Sequence, residues 1–419
     1  VDLAIIGLGY VGLPLAVAAC RVGLTVAGLD SDPSVVEGLR AGTSHVDDIS
    51  GGEVREILGA GFRPTTDPRV LARAGTVVIC VPSPLTRDGE PDLGAIRAAA
   101  EAVAANLRPG VLVVLESTTF PGTTDEIVRP ILERSGLLAG RDFHLAFSPE
   151  RIDPGNTAHP VQKIPKVVGG HTGACGAAAA AFYGKFVSSV HQAKGTREAE
   201  LAKLLENTYR QVNIALVNEM AMFSRELDID LWDAIDCAST KPFGFQTFHP
   251  GPGVGGHCIP VDPVLLTHRV RSLGHSFRIA ELAQQINAQM PDYVAGRARK
   301  LLARHGHALP DASVLLCGIT YKADIADLRE TPAKPIAEQL HRLGAEVRFH
   351  DPYVGTWQVG GRTVRCEPRL EEALETADLT LVVTPHREYD PATLIGRARL
   401  LLDTRGRLRA HTGDTVEVL

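Results

Sequence analysis

The chain opens on a pattern that leaves few choices of fold. Residues 2–6 (Asp-Leu-Ala-Ile-Ile) form a short apolar run into Gly7-Leu8-Gly9-Tyr10-Val11-Gly12, and an Ala/Leu/Val-rich stretch follows at 11–22. A second apolar run, Leu24–Leu29, stops at Asp30. Strand, glycine turn, helix and strand within about 30 residues make a βαβ unit. The strands of such a unit run parallel, because the crossover helix carries the chain back to the edge where it began. Further strand-like runs, Thr76–Val81 and Val111–Glu116, flank an alanine-rich helical segment at Leu93–Asn106, and Lys166–Val168 and Phe186–Ser188 are further candidate strands. Strands alternating with helices predict a doubly wound parallel sheet.

Beyond residue 196 the pattern changes. Arg197–Leu227 contains no glycine or proline and reads as one helix, longer than the globular average, with mixed faces suited to packing on two domains. Pro291 predicts a break between a helix at Ile279–Gln289 and another at Asp292–Arg304. The last third then repeats the opening order: Val314–Gly318 as strand into turn, Pro332–Leu343 as helix, and Glu346–His350 as strand ending at Asp351. It lacks the G-x-G-x-x-G run, so the dinucleotide is expected in the first copy. The expected fold is α/β: two Rossmann-like doubly wound domains bridged by a long central helix and a small helical middle domain, with boundaries at 1–196, 197–304 and 305–419.

Composition narrows the function class. The length of 419 residues suffices for two or three cores, and 44% hydrophobic and 22% charged residues are ordinary for a globular protein. A net charge of -6 argues against a general nucleic-acid binder or a binder of anionic membranes. The seven cysteines are odd in number and scattered, with no CxxC pair, so neither a disulfide framework nor a metal site is expected. The apolar start lacks a basic leading region and is broken by glycines and Pro14, and no run is long enough to span a bilayer. A cytoplasmic location with reduced thiols is the expectation.

Several residues are placed for chemistry. Gly7, Gly9 and Gly12, with Tyr10 and Val11 between them, permit a tight turn, close approach of a pyrophosphate and contact between helix and strand. Asp30 ends the second strand where a carboxylate bonds a ribose 2′-hydroxyl; a 2′-phosphate would be repelled, and no arginine follows at once, so NAD is favoured over NADP. Pro82, in Cys80-Val81-Pro82-Ser83-Pro84, and Thr118, in Glu116–Gly122, follow predicted strands and so line the ligand crevice; stiff structural turns explain these two loops equally well. Lys203 and Asn207 lie four apart on one helix face, and Glu150 is a loop acid. The sharpest feature is Gly255-Gly256-His257-Cys258-Ile259-Pro260-Val261-Asp262. A thiolate in a glycine loop, four residues from a carboxylate, is placed to attack an electrophilic carbon.

Taken in order, these motifs resemble the UDP-glucose/GDP-mannose dehydrogenase family over almost the whole chain. They are GLGYVGLPLA at 7–16, CVPSPL at 80–85, ESTTFPGTT at 116–124, SPERIDPG at 148–155, EAELAKLLENTYRQVNIALVNE at 198–219, the cysteine loop at 251–263, and GITYKADIADLRETPA at 318–333. The resemblance implies an NAD-dependent four-electron oxidation of a sugar nucleotide's 6-hydroxyl to a carboxylate. It implies a homodimer formed through the middle helices, with a higher homo-oligomer open. By position, Cys258 resembles the nucleophile, Lys203, Asn207 and Asp262 its catalytic neighbours, and Thr118 and Glu150 the water- and proton-handling residues. Arg151, Gly255, Lys322, Arg329 and Arg405, together with Lys203 and Asn207, fall where the family meets substrate. His257 and Val261 stand where UDP-glucose and GDP-mannose members more often carry Tyr or Ser and Lys. The loop is therefore similar to that of members acting on UDP-N-acetylhexosamines, UDP-N-acetylglucosamine foremost and UDP-N-acetylmannosamine close behind. UDP-glucose is the competing substrate. A two-electron β-hydroxyacid dehydrogenase, which needs no cysteine, is the competing reaction.

Overall fold

The computed structural model describes residues 1–86, 88–151 and 163–419. The chain divides into two compact units: Val1–Glu206 with Val264–Ser276, and Asn207–Pro263 with Phe277–Leu419.

The first unit is built on the predicted βαβ opening. Strand β1 (Leu3–Ile6) runs into the glycine turn, helix α1 (Gly12–Arg21) follows, and β2 (Val26–Leu29) lies parallel to β1. Helices α2 (Pro33–Arg40) and α3 (Gly51–Gly59) lead to the short β3 (Arg63–Thr65). Next come β4 (Thr76–Ile79), α4 (Gly94–Ala104), β5 (Leu112–Leu115), α5 (Arg129–Glu133), β6 (His144–Phe147), β7 (Lys166–Gly170), α6 (Gly173–Tyr183) and β8 (Val190–Gln192). The sheet order is β3-β2-β1-β4-β5-β6-β7-β8, so the strand order reverses direction between β1 and β4. β1, β2, β4 and β5 are buried along their full length, which explains why they carry no polar side chain but Thr76.

Two expectations need correction here. The sheet is not wholly parallel, since β7 pairs antiparallel with β6. Phe186–Ser188 is not a strand; Phe186 and Val187 join the core beside Phe182 and Tyr183, with ring centroids 5.4 and 5.7 Å from Phe186. Their apolarity serves side-chain packing after α6, and the ladder forms two residues later in β8.

Helix α7 (Thr196–Ser224) is the long helix, closed by a single 3₁₀ turn at Arg225–Leu227 and by Asp228 in the left-handed region, φ +54°. Helices α8 (Leu231–Ser239), α9 (Asp262–Ser272) and α10 (Arg278–Arg304) follow. Helix α10 passes through Pro291 without ending, against the predicted break. Proline there leaves the Asn287 carbonyl without its helical donor, at a cost of about 3 kcal/mol. Packing on both sides of the defect offsets that cost. Ala283 and Ile286 meet Ala215 of α7, while Met290, Val294 and Leu301 enter the core of the second sheet.

The second sheet comprises β9 (Ser313–Cys317) and β10 (Glu346–His350), with α11 (Ala333–Arg342) crossing between them. A small hairpin, β11 (Thr356–Val359) and β12 (Arg362–Arg365), precedes α12 (Leu370–Thr376), β13 (Leu379–Val382), α13 (Pro391–Arg397), β14 (Leu401–Asp403) and β15 (Val416–Val418). Its order is β10-β9-β13-β14-β15, parallel throughout.

The two sheets repeat one local device. Gly7, at φ +92°, donates to the Leu29 carbonyl at 2.8 Å, and Gly318, at φ +79°, donates to that of His350 at 3.0 Å. The next N–H in each copy reaches the acid after the second strand, Leu8 to Asp30 at 2.9 Å and Ile319 to Asp351 at 2.8 Å. The copies then diverge. Asp351 is buried and also bonded by His386 Nε2 at 3.1 Å, whereas Asp30 is half-buried. In the second copy, then, a buried side chain already engages the carboxylate.

Candidate active site

In the first unit, the loops after β1, β4 and β5 leave the same edge of the sheet, at the point where strand order reverses. This is where open α/β sheets bind ligands. A Cβ on Gly12 would lie 1.9 Å from the Gly7 carbonyl oxygen, and one on Gly7 would lie 2.6 Å from that of Cys80, so neither position accepts a side chain. Gly9 is different, with nothing within 4 Å of where its Cβ would stand. That open face, beside an α1 N-terminus that no side chain caps, suits a pyrophosphate. Both oxygens of Asp30 are already engaged, from Leu8 N–H and from Asp32 N–H at 3.0 Å, which fixes the carboxylate in place. Tyr10 reaches Asp47 at 3.4 Å, and Pro82 is exposed. Ser83 donates to the Thr118 carbonyl at 2.5 Å and Ser117 to that of Val81 at 2.6 Å, so the two loops are tied together.

Behind this edge lies a buried ionic group the sequence did not announce. Lys166 pairs with Glu116 and lies 3.4 Å from Glu150, while Tyr183 donates to Glu116 at 2.8 Å. Burial pushes the Glu116 acid up to about 7. Burial alone would lower Lys166, but Glu116 and Glu150 beside it carry it above the ordinary lysine value. Arg151 bridges to Glu206 at 2.8 Å and to the Pro165 carbonyl at 2.8 Å. The SPERIDPG run continues from here, and its last four residues lie outside the described residues. Lys203 is buried on α7.

The second unit holds the cysteine loop. Gly251 N–H donates to Asn218 of α7 at 2.8 Å, and Gly256 N–H donates to the Arg329 carbonyl at 3.0 Å. Gly256 sits at φ +82°, and a Cβ there would strike the Tyr321 ring at 2.7 Å; one on Gly255 would lie 2.8 Å from the Glu330 carbonyl oxygen. The glycines therefore let the loop lie against the turn after β9. Cys258 is exposed at its end, and burial lowers the neighbouring His257, with Arg329 adding to the effect. Asp262 is buried at the start of α9, its N–H bonded to the Cys258 carbonyl at 2.9 Å. Its carboxylate takes a short hydrogen bond from Asn207. Thus Asn207, Gly255, Cys258 and Asp262 share one cluster. Lys322 and Arg329 lie in the turn after β9, where Arg329 pairs with Asp327 at 2.5 Å. Burial lowers Arg405 to about 10, while Asp403 works the other way. A Cβ on Gly251 would lie 2.8 Å from the Arg405 guanidinium.

The first unit thus carries an open dinucleotide turn, and the second an exposed cysteine in the loop that leads to the Asn207–Asp262 pair. Three domain models of the UDP-glucose/GDP-mannose dehydrogenase family match in order: the NAD binding domain over residues 1–187, the central domain over 197–289 and the UDP binding domain over 315–410. A UDP-N-acetyl-D-glucosamine 6-dehydrogenase of Pseudomonas aeruginosa is 35% identical over 391 residues, covering 93% of this chain and 88% of its own. A UDP-N-acetyl-D-mannosamine dehydrogenase of Pyrococcus horikoshii is 34% identical, covering 92% and 90%. A solved UDP-D-ManNAc dehydrogenase from Pyrococcus horikoshii superposes with a TM-score of 0.90 at 31% identity, covering 100% of this chain and 99% of that one. The chain belongs to the UDP-glucose/GDP-mannose dehydrogenase family. It is a nucleotide-sugar dehydrogenase that uses NAD.

Proposed function

We propose that the chain oxidises the 6-hydroxyl of a UDP-N-acetylhexosamine, UDP-N-acetylglucosamine first, to the carboxylate. The observation that carries this reading is the exposed Cys258, whose carbonyl takes the Asp262 N–H at 2.9 Å, with the Asp262 carboxylate held by Asn207. NAD, held by Gly7, Gly9, Tyr10, Val11, Gly12, Asp30, Pro82 and Thr118, supplies the hydride acceptor for both oxidations. The Cys258 thiolate forms a C–S bond to the aldehyde carbon, and the resulting oxyanion takes a proton to give a thiohemiacetal. Loss of that carbon's remaining hydrogen as hydride, with release of the hydroxyl proton, leaves a thioester. Water then breaks the C–S bond, releasing the carboxylate and returning the thiol. In balance, one alcohol, two NAD and one water give one carboxylate, two NADH and three protons. Lys203 stabilises the oxyanion, Asn207 donates to the same oxygen, and Asp262, with Thr118 and Glu150, handles water and protons. Arg151, Gly255, Lys322, Arg329 and Arg405, with Lys203 and Asn207, hold the UDP-sugar.

UDP-N-acetylmannosamine is the second reading, favoured by the Pyrococcus horikoshii relative. Incubating the protein with NAD and a panel of UDP-sugars, while following NADH absorbance, tests the assignment. Turnover of UDP-glucose at a kcat/KM above that of both N-acetylated sugars would overturn it.

Asp30→Ala should raise the Kd for NAD about tenfold, as loss of a hydrogen bond to a charged group would. Fluorescence titration checks this; an unchanged Kd moves the ribose contact elsewhere.

The reading includes a homodimer. Leu201, Leu205, Tyr209, Leu216, Met220 and Phe223 are exposed along α7, a stripe at helical spacing that suits the same stripe on a second copy. Leu205→Glu with Leu216→Glu should halve the mass measured by light scattering. A wild-type mass equal to one chain would remove the dimer.

A further inference from the structure

Glu200 is fully buried on α7, and the oxidation chemistry assigns it no part. Its Oε2 accepts the Gly122 N–H at 2.6 Å, and its Oε1 accepts both the N–H and the hydroxyl of Thr124, at 2.8 and 2.7 Å. These donors open the helical segment that begins with a single π-turn, Thr124–Val128, and no side chain of Thr123 caps it. The cap comes instead from another element.

Burying a carboxylate costs several kcal/mol, offset here by three donors at a helix N-terminus. Burial pushes this acid up to about 7 even against its three donors, and an apolar residue would fill the same space without that cost, so a carboxyl group there needs a reason beyond packing. The surroundings give one. The turn it grips lies four residues after Thr118, and Lys203 lies three residues further along α7, on the same side of the helix. Neighbouring contacts reinforce the joint: Thr196 donates to Asp125 at 2.7 Å, and Arg197 and Arg269 meet Glu126 at 3.0 and 2.7 Å. The Arg269 guanidinium also lies 5.9 Å from the centre of the Phe120 ring. Arg269 stands two turns along α9 from Asp262.

We infer that Glu200 is a positioning residue for the dehydrogenase reaction: it holds the loop that carries Thr118 in register with the helix turn that carries Lys203. This rests on the roles proposed above for those two residues. Glutamine has the same shape but turns an NH₂ toward either the Gly122 or the Thr124 N–H, setting donor against donor. Glu200→Gln is therefore expected to behave much like Glu200→Ala.

Both variants should lose at least about tenfold in kcat per folded molecule, because a displacement near 1 Å at reacting groups has effects of that order or larger. Their Kd for NAD should rise by less than about fivefold, since the glycine turn and Asp30 are untouched and only Thr118 of the NAD-holding residues shifts. Counting reactive Cys258 thiols separates slow sites from missing ones. A residue that served folding alone would lower the thiol count and the melting temperature, yet leave kcat per thiol unchanged. Should neither variant fold, Thr124→Val removes one donor and leaves the carboxylate; it should lower kcat severalfold. Wild-type kcat per thiol in these variants, with Thr118→Ala impaired, overturns this inference alone. Wild-type turnover in Thr118→Ala overturns the role given to Thr118 as well.

Discussion

Cys258→Ser should form carboxylate about a thousandfold more slowly than wild type, or worse, while binding NAD and UDP-sugar within about twofold. Removal of a nucleophile from an otherwise intact site has effects of this size or larger. The first oxidation needs no sulfur, so the variant should still release some aldehyde, which a hydrazine reagent would trap. Serine has the shape of cysteine but a far higher pKa, so its hydroxyl stays protonated where a thiol yields a thiolate. The variant should keep the wild-type melting temperature, because Cys258 is exposed. Wild-type carboxylate formation would remove the covalent route.

Lys203→Ala is expected to lower kcat by about a hundred- to a thousandfold, the usual loss when a single oxyanion-stabilising group is removed from a water-poor site. Lys203 is buried, and neighbouring positions on α7 hold Glu200 and Asn207. Arginine should not restore the rate, since its planar fork cannot take the place of a compact ammonium in a buried position. Steady-state kinetics beside a melting curve checks this. A tenfold smaller loss, or a loss accounted for by unfolding, would reduce Lys203 to a structural residue.

Much of the architecture could be read from periodicity alone. The βαβ opening, and β9 of its restart after residue 313, are written in short apolar runs, because strands buried on both faces cannot alternate with polar residues; the edge strand β10 carries Glu346, Arg348 and His350. What escaped was decided by tertiary contacts. Pro291 is a break signal by every local rule, and only packing on both sides of it keeps α10 whole. Phe186 and Val187 read as a strand because core filler and ladder residues share one vocabulary.

The site shows the same division. The cysteine loop, Asn207 and Asp262 were marked by spacing, and they share one cluster in the second unit. Glu116, Lys166 and Glu200 were not singled out, although two of them lie inside motifs quoted for the family. A charged residue in a sequence is read as solvated unless something says otherwise. Their burial depends on strands and helices far apart along the chain: Lys166 stands 50 residues from Glu116, and Glu200 stands 78 from Gly122.

The central claim is that the thiol of Cys258 carries the sugar between its two oxidations. An acid quench of Asp262→Asn with saturating UDP-N-acetylglucosamine and NAD, followed by peptide mass spectrometry, tests it directly, because slowed hydrolysis should let the thioester accumulate. The account predicts the peptide containing residue 258 heavier by one oxidised UDP-sugar, with two NADH formed per modified chain. Two NADH formed with that peptide unmodified would contradict it.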